Sequence, residues 1–282
     1  MLSGWEALPK SLGTYSADID KLFWDVTALM TFSWVVSTIV MVYLFGAFTR
    51  KEGVKSKYVT GEAGKQLLLI YVPLALFVCF DMYIDVSTAA VWKKVKTHLP
   101  EPEVKVRAIA QQWAWTFVHE GDITTVNELH VPAGKVVHVE MESSDVVHSF
   151  SIPVFRLKQD VIPGRIITSW FQSKDFATVK AEKASQIARY EAGKGQGVVL
   201  SPSEDEEGTA AFDLQCTEMC GVGHGIMAAK IILHSQESYD QWVANNRAEM
   251  HEANEDTTAE PAATEAAPAA EEEAPATNGG HE

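Results

Sequence analysis

Twelve residues concentrate the chain's capacity for redox chemistry: Cys216-Thr217-Glu218-Met219-Cys220-Gly221-Val222-Gly223-His224-Gly225-Ile226-Met227. Two thiols, one imidazole and the thioethers of Met219 and Met227 fall within that stretch. Soft thiolate and thioether donors, together with imidazole, favour copper over hard cations. A mononuclear blue-copper centre takes one Cys, two His and a weak Met, so the additional thiolate suggests a second metal ion. Cys216 and Cys220 could each bridge a pair of copper ions, with His224 and Met227 capping them. The Glu218 carboxylate is too hard a donor for copper, but its backbone carbonyl could complete the set. One further imidazole must come from elsewhere. His148, in Ser143-Ser144-Asp145-Val146-Val147-His148-Ser149-Phe150, is the best candidate. On spacing alone two other chemistries stay open. One is a structural zinc on His148, Cys216, Cys220 and His224, and the other is a Cys216–Cys220 disulfide in an oxidising compartment.

A rigid centre needs the loop to be held at both ends. Phe212-Asp213-Leu214-Gln215 reads as a strand leading in, and Ala228 to His234 as a strand leading out. Further strands are expected at 104–110, 113–118, 128–131, 136–141, 146–154 and 166–171, separated by Gly- and Pro-containing turns. That pattern indicates a β-sandwich or barrel. On a strand, Trp113 and Trp115 would share one face. His98, His119, His130, His138 and His234 belong to no motif and read as ordinary strand or loop residues.

Two apolar stretches precede this region. Residues 22–48 carry only Asp25 as a charge, and as a helix would exceed a ~30 Å hydrocarbon core. Residues 66–92 form the second, with Pro73 inside, which membrane helices tolerate. Asp81 and Asp85 in its outer half are expected near the interface, and Cys79 as a small buried hydrophobe. Arg50, Lys51, Lys55, Lys57 and Lys65 between the stretches suggest a cytoplasmic loop, although Lys93, Lys94 and Lys96 blur that signal. The organisation expected is therefore an N-terminal segment (1–21), a transmembrane helical hairpin (22–95) and an all-β domain (96–250). Residues 173–208 form an insertion in that domain, with an exposed helix near 177–192 and flexible loop after it. A Glu/Ala/Pro-rich disordered acidic tail occupies 251–282. No basic segment followed by a short apolar core and small-residue cleavage pattern stands at the start, so no simple signal peptide is read.

The net charge is −15 over 282 residues. Nine of the carboxylates lie in 251–282 without a Lys or Arg, which leaves −6 for the remainder. This balance argues against nucleic-acid binding and suits a cationic protein partner. No Cys-x-x-Cys-His motif occurs, so no attached c-type haem is expected.

The loop reads as CxExCGxxHxxM, and with the Ser143–Phe150 segment, Gln112-Trp113-Ala114-Trp115 and Asp160-Val161-Ile162-Pro163-Gly164-Arg165 it closely resembles subunit II of haem–copper cytochrome c oxidases, over roughly residues 20–245. The resemblance implies a Greek-key cupredoxin domain carrying a binuclear copper centre on His148, Cys216, Glu218, Cys220, His224 and Met227. It implies that Trp113 is the exposed aromatic through which the electron enters from cytochrome c. It also implies that the Glu218 side chain binds Mg²⁺ at the boundary with subunit I, near whose haem propionates Arg165 would lie. The function implied is an electron relay in a proton-translocating terminal oxidase, passing electrons to the haem of subunit I for reduction of dioxygen. Partners would be subunit I, other oxidase subunits, cytochrome c or a similar donor, and the lipid bilayer. The β-domain would lie on the periplasmic or outer side of a cell or inner membrane. Two alternatives carry the same loop: the equivalent subunit of a nitric oxide reductase, and a membrane-tethered copper-binding or delivery protein. The intact loop argues against a quinol donor. One departure is visible. The family's acidic proton entrance near a Trp-Thr-x-x-Pro pattern is replaced by Gln66 and Leu69-Ile70-Tyr71-Val72-Pro73, with Glu62 further away.

Overall fold

The computed structural model describes residues 10–55, 60–62, 64–191 and 205–258. Two long helices come first, α1 (Ser16–Ala47) and α2 (Gly64–Trp92), the latter with Pro73 inside it. Each contains an 18-residue apolar window with none of its residues buried, long and apolar enough to cross a membrane. A soluble domain would bury such faces, whereas here Phe45, Leu69 and Phe77 stay exposed. Cys79 is exposed as well, contrary to the expectation of burial, because the two helices pack against each other alone and leave the rest of each surface open. They meet through Tyr83, whose hydroxyl donates to Asp25 over 2.8 Å, and through the rings of Phe32 and Phe80.

The first helix begins six residues earlier than the apolar pattern indicates, and the segment before it is fixed to the β-domain. Leu12, Tyr15 and Ser16 are buried. Gly13 bridges Ser173, the Tyr15 hydroxyl donates to the Trp170 carbonyl over 3.1 Å, and Arg156 pairs with Asp20 over 2.6 Å. Polar residues interrupt the hydrophobic run there, so its order comes from tertiary contacts that periodicity does not register.

The β-domain is a sandwich of two five-stranded sheets. One has the order β3-β2-β1-β5-β8 and the other β4-β10-β9-β6-β7. The first contains β1 (Val104–Gln111), β2 (Ala114–Val118), β3 (Thr124–Val126), β5 (Val136–Ser143) and β8 (Ile167–Gln172). The second contains β4 (Glu128–Pro132), β6 (His148–Ile152), β7 (Leu157–Val161), β9 (Thr209–Cys216) and β10 (Ala228–His234). Neighbours β1 and β5 run parallel, as do β4 and β10, while the other pairs are antiparallel. Burial along β1 alternates, placing Val104, Val106, Ala108 and Ala110 inward. Trp115, Phe117, Phe150, Phe155, Phe171 and Phe212 fill the space between the sheets. Two strands, β3 and β7, are additional to those read from the pattern. Both are short, and β7 (Leu-Lys-Gln-Asp-Val) buries fully only its ends.

Two helices flank the sandwich. The insertion helix α3 (Phe176–Glu191) is not simply exposed: Val179, Lys183 and Gln186 are buried along one face at helical spacing. Lys183 is 3% exposed, pairs with Asp205 over 2.5 Å and lies over the Phe212 ring. Its aliphatic stem packs while its head is neutralised, which is how a Lys-rich sequence acquires a buried face. The flexible-loop reading at 193–204 lies outside the described residues. The last helix, α4 (Gln236–Thr258), runs nine residues beyond the expected Glu249, so backbone helix reaches into the stretch read as tail. The rest of that tail, 259–282, lies outside the described residues.

Candidate metal centre

The adjacent antiparallel strands β9 and β10 carry the loop between them, so both of its ends are anchored in one ladder, with Gln215 paired to Ala228. Strand β6 lies on the other side of β9, and the Phe150–Cys216 pairing brings His148 beside the first thiol. The loop closes on itself. The Cys216 amide donates to the Met227 carbonyl over 3.2 Å, and the Thr217 amide donates to Ser149 over 3.1 Å.

The side chains converge as the spacing indicates. The Cys216 and Cys220 sulfurs lie 3.8 Å apart as free thiols, so the disulfide alternative does not hold in this structure. His148 Nδ1 is 4.0 Å from the Cys216 sulfur, and His224 Nδ1 is 3.6 Å from the Cys220 sulfur. Met227 Sδ stands 3.7 Å from the Cys220 sulfur, and the Glu218 carbonyl oxygen 3.3 Å from the Cys216 sulfur. Ligand atoms of His148, Cys216 and Cys220 fall within 4.8 Å of one another. The separation of the sulfurs is less than twice a metal–thiolate bond of about 2.3 Å, so one ion can touch both, on either side of the line joining them. The donor set is soft and the four side chains His148, Cys216, Cys220 and Met227 are buried, which fits copper held in a water-poor site. The Glu218 side chain, by contrast, is exposed, and only its carbonyl turns inward. Burial, and then the neighbouring Cys216 thiol, push the Cys220 thiol up to about 11. A metal cation must therefore displace the protons when it binds.

The surrounding contacts were not legible as site residues. Asp145 accepts a hydrogen bond from His148 Nε2 over 2.7 Å, from the Gln112 amide over 2.7 Å and from the Val146 amide over 2.6 Å. Partial burial works to raise the Asp145 carboxyl, but these donors, His148 first, outweigh it and hold the group below its usual range. An acid bonded to one nitrogen of an imidazole fixes the tautomer and directs the other nitrogen to a metal. The signal available was an Asp three residues before the His, which is common in turns and easily passed over.

Trp113 and Trp115 do not share a strand face. Trp113 sits in the turn between β1 and β2, after a cis Gln112–Trp113 peptide, and is 39% exposed, whereas Trp115 is fully buried against His148 and Phe150. The turn lays the Trp113 indole over the metal loop. Its Nε1 donates to the Cys220 carbonyl over 3.3 Å, and the Gln112 side-chain amide donates to the same oxygen over 2.7 Å. A Cβ added at Gly223 would come within 2.3 Å of the indole, so that glycine is required by close approach.

The histidines without a motif divide. His138 Nε2 donates to the Pro100 carbonyl over 2.8 Å, and the residue takes no part in the centre. His119, His130 and His234 gather instead under α4, with His130 stacked on Trp242 at 4.4 Å and bonded to His234 over 2.9 Å.

Comparison with known proteins agrees with the resemblance drawn from the motifs. The family model "Cytochrome C oxidase subunit II, periplasmic domain" matches residues 116–188. A cytochrome c oxidase subunit 2 from Thermostichus vulcanus is 31% identical over 147 residues, which is 52% of this chain and 35% of the relative. The chain thus spans about a third of that relative's length. An alternative cytochrome c oxidase subunit 2 from Bradyrhizobium diazoefficiens is 24% identical, covering 86% of this chain and 84% of the relative. Among solved structures, the periplasmic domain of subunit II of cytochrome oxidase from Bradyrhizobium japonicum has a TM-score of 0.41 at 23% identity. It covers 54% of this chain and 99% of that chain. By the family model and these relatives, the chain is similar over part of its length to cytochrome c oxidase subunit II proteins.

Proposed function

We propose that the chain is the membrane-anchored electron-relay subunit of a terminal oxidase. In this reading it takes single electrons from cytochrome c or a similar small donor and delivers them to the haem of subunit I, where dioxygen is reduced with proton translocation. The observation that carries the reading is the convergence of two free thiols, two imidazole Nδ1 atoms, one thioether and one inward carbonyl within a buried loop.

Copper held by this loop would supply one-electron storage. The chain's part is to bind and hold. Cys216 and Cys220 would hold the metal as thiolates, His148 and His224 as imidazole ligands, and Met227 and the Glu218 carbonyl as weak ones. Anchoring in β6, β9 and β10 keeps these atoms in place as charge comes and goes, which lowers the reorganisation required. Burial excludes water, and Asp145 keeps the proton of His148 on Nε2. Trp113 offers a path inward: its exposed ring is hydrogen-bonded to the carbonyl of Cys220, whose own side chain is a proposed ligand. The Glu218 carboxylate, exposed on the opposite side of its peptide, is free to hold Mg²⁺ together with subunit I. Exposed Met219, Val222 and Ile226 beside His224 supply an apolar contact surface for that subunit.

Both α1 and α2 would cross the bilayer, leaving the sandwich on the periplasmic or outer side. A copper-delivery role fits less well, because release favours an open, mobile site and this one is buried and anchored at both ends. A nitric oxide reductase subunit would use the same centre, so the acceptor must be determined directly. Purification of the chain from its native membrane should bring a haem-bearing subunit with it, and the complex should consume dioxygen with reduced cytochrome c. Recovery without haem, or turnover of nitric oxide alone, would overturn the oxidase assignment.

A further inference from the structure

A pocket of about 510 Å³ opens where α2 meets the sandwich, lined by Lys93, Lys94 and His98 and by the apolar surfaces of Ala90, Leu99 and Trp170. That volume lies within the usual range for small-molecule sites, roughly 300–1,000 Å³. The final turn of the helix, Lys93–Thr97, winds as a π turn and sends its three lysines to different places. Lys96 turns into the domain and donates to the Gln159 side chain over 2.7 Å. Val95 is buried, and its carbonyl accepts from the Trp170 indole over 2.9 Å, which fixes that ring as a wall. Lys94 is paired with Asp18 at the start of α1. Lys93 lines the pocket and has no ion-pair partner among the described residues.

Position and chemistry select the occupant. Ala90 of the pocket wall belongs to α2, on which Val86 and Trp92 are exposed, and an exposed Trp at the end of a span marks the headgroup layer. Lysines at the outer end of a second span run against the inside bias of positive charge. Lys94 and Lys96 have local partners, and an anionic ligand accounts for Lys93. We propose that this pocket binds one anionic phospholipid, with its phosphate at Lys93 and His98 and its acyl chains along α2. The proposal rests on the membrane placement given above and is independent of the copper chemistry.

The test uses the full chain, copper-loaded, in a non-ionic detergent, with bound lipid counted by native mass spectrometry. Dioleoylphosphatidylglycerol and dioleoylphosphatidylcholine are added separately, each with and without inorganic phosphate. One phosphatidylglycerol should be retained in preference to phosphatidylcholine. Lys93→Gln should lower that retention about fivefold, the effect of one basic contact at a membrane surface. His98→Gln combined with it should remove the preference, with the copper absorption unchanged as the control for folding. Equal retention of the two lipids, or unchanged retention in the double variant, would overturn the proposal. Displacement by inorganic phosphate would assign the pocket to a free anion and equally overturn it. Lipid retention in a chain that shows no copper bands would leave this proposal standing and count against the relay reading instead.

Discussion

His148 is held from both ring nitrogens, by Asp145 at Nε2 and by the thiol side of the centre at Nδ1. The carboxylate also accepts from the Gln112 and Val146 amides and the Ser143 hydroxyl and is only partly buried, so it can orient the imidazole without itself becoming a ligand. Asp145→Ala should leave the fold intact but weaken copper binding about 10–100-fold, the usual cost of losing such an orienting partner. Competition against a chelator of known affinity would measure this, and an unchanged affinity would remove Asp145 from the site. Met227 is the softest and weakest of the proposed donors, so Met227→Leu should retain copper and change its reduction potential in a voltammetric measurement. The thiols, His224 and Met227 were readable because soft donors at short spacing have few other uses. Asp145, Gln112 and Gly223 were not, because their parts depend on a turn that folds across from β1 and on the close approach of one indole.

Helices α3 and α4 show where periodicity and composition mislead. The lysines of α3 suggest a solvated surface, yet Lys183 is buried with Asp205 as its partner, and Asp205 also accepts from the Ala211 amide over 2.9 Å. Lys183→Ala would strand that carboxylate beside β9, and breaking a buried pair in this way costs about 3 kcal/mol. Denaturant unfolding followed by tryptophan emission should show the loss, whereas a change near zero would return α3 to the status of a surface appendage. Helix α4 closes over His119, His130 and His234. Burial pushes His119 down to about 3, with the charges of His130 and His234 adding to it. Burial likewise lowers His130 and His234 to about 4. In the unfolded chain these groups titrate near ~6.5, so between the two values the unfolded state binds more protons. Their contribution to stability is complete above the unfolded value and is lost as pH falls toward 4. The unfolding midpoint should therefore drop between pH 7 and pH 4.5, and His119→Gln should flatten that slope. A pH-independent midpoint in the unmodified chain would contradict the burial of the cluster. No motif flagged these three residues, because β2, β4 and β10 bring them together from positions 119, 130 and 234.

The whole molecule divides its charge as it divides its layers. The helices are apolar, the sandwich is mildly acidic, and the last 32 residues hold nine carboxylates. The two apolar helices and the sandwich were legible from hydropathy and strand alternation, with boundaries displaced where tertiary contacts took over, as at Ser16 and Thr258. Sidedness was blurred by the lysines after α2. Their partners show why, since Lys94 serves Asp18 and Lys96 serves the domain, so those charges answer to local contacts. In the proposed placement, with the sandwich outside, trypsin added to intact spheroplasts should cut on the sandwich side and spare the Arg50–Lys55 loop. Cleavage in that loop would invert the placement.

The proposed electron relay requires two copper ions held by the Cys216–Met227 loop and His148. The full chain, purified in detergent and loaded with copper, should bind two copper ions per chain. Its electron paramagnetic resonance spectrum should show one unpaired electron spread over both nuclei, and Cys216→Ser should abolish that pattern. A single-copper spectrum, or tight zinc binding with no copper signal, would contradict the binuclear centre and with it the relay.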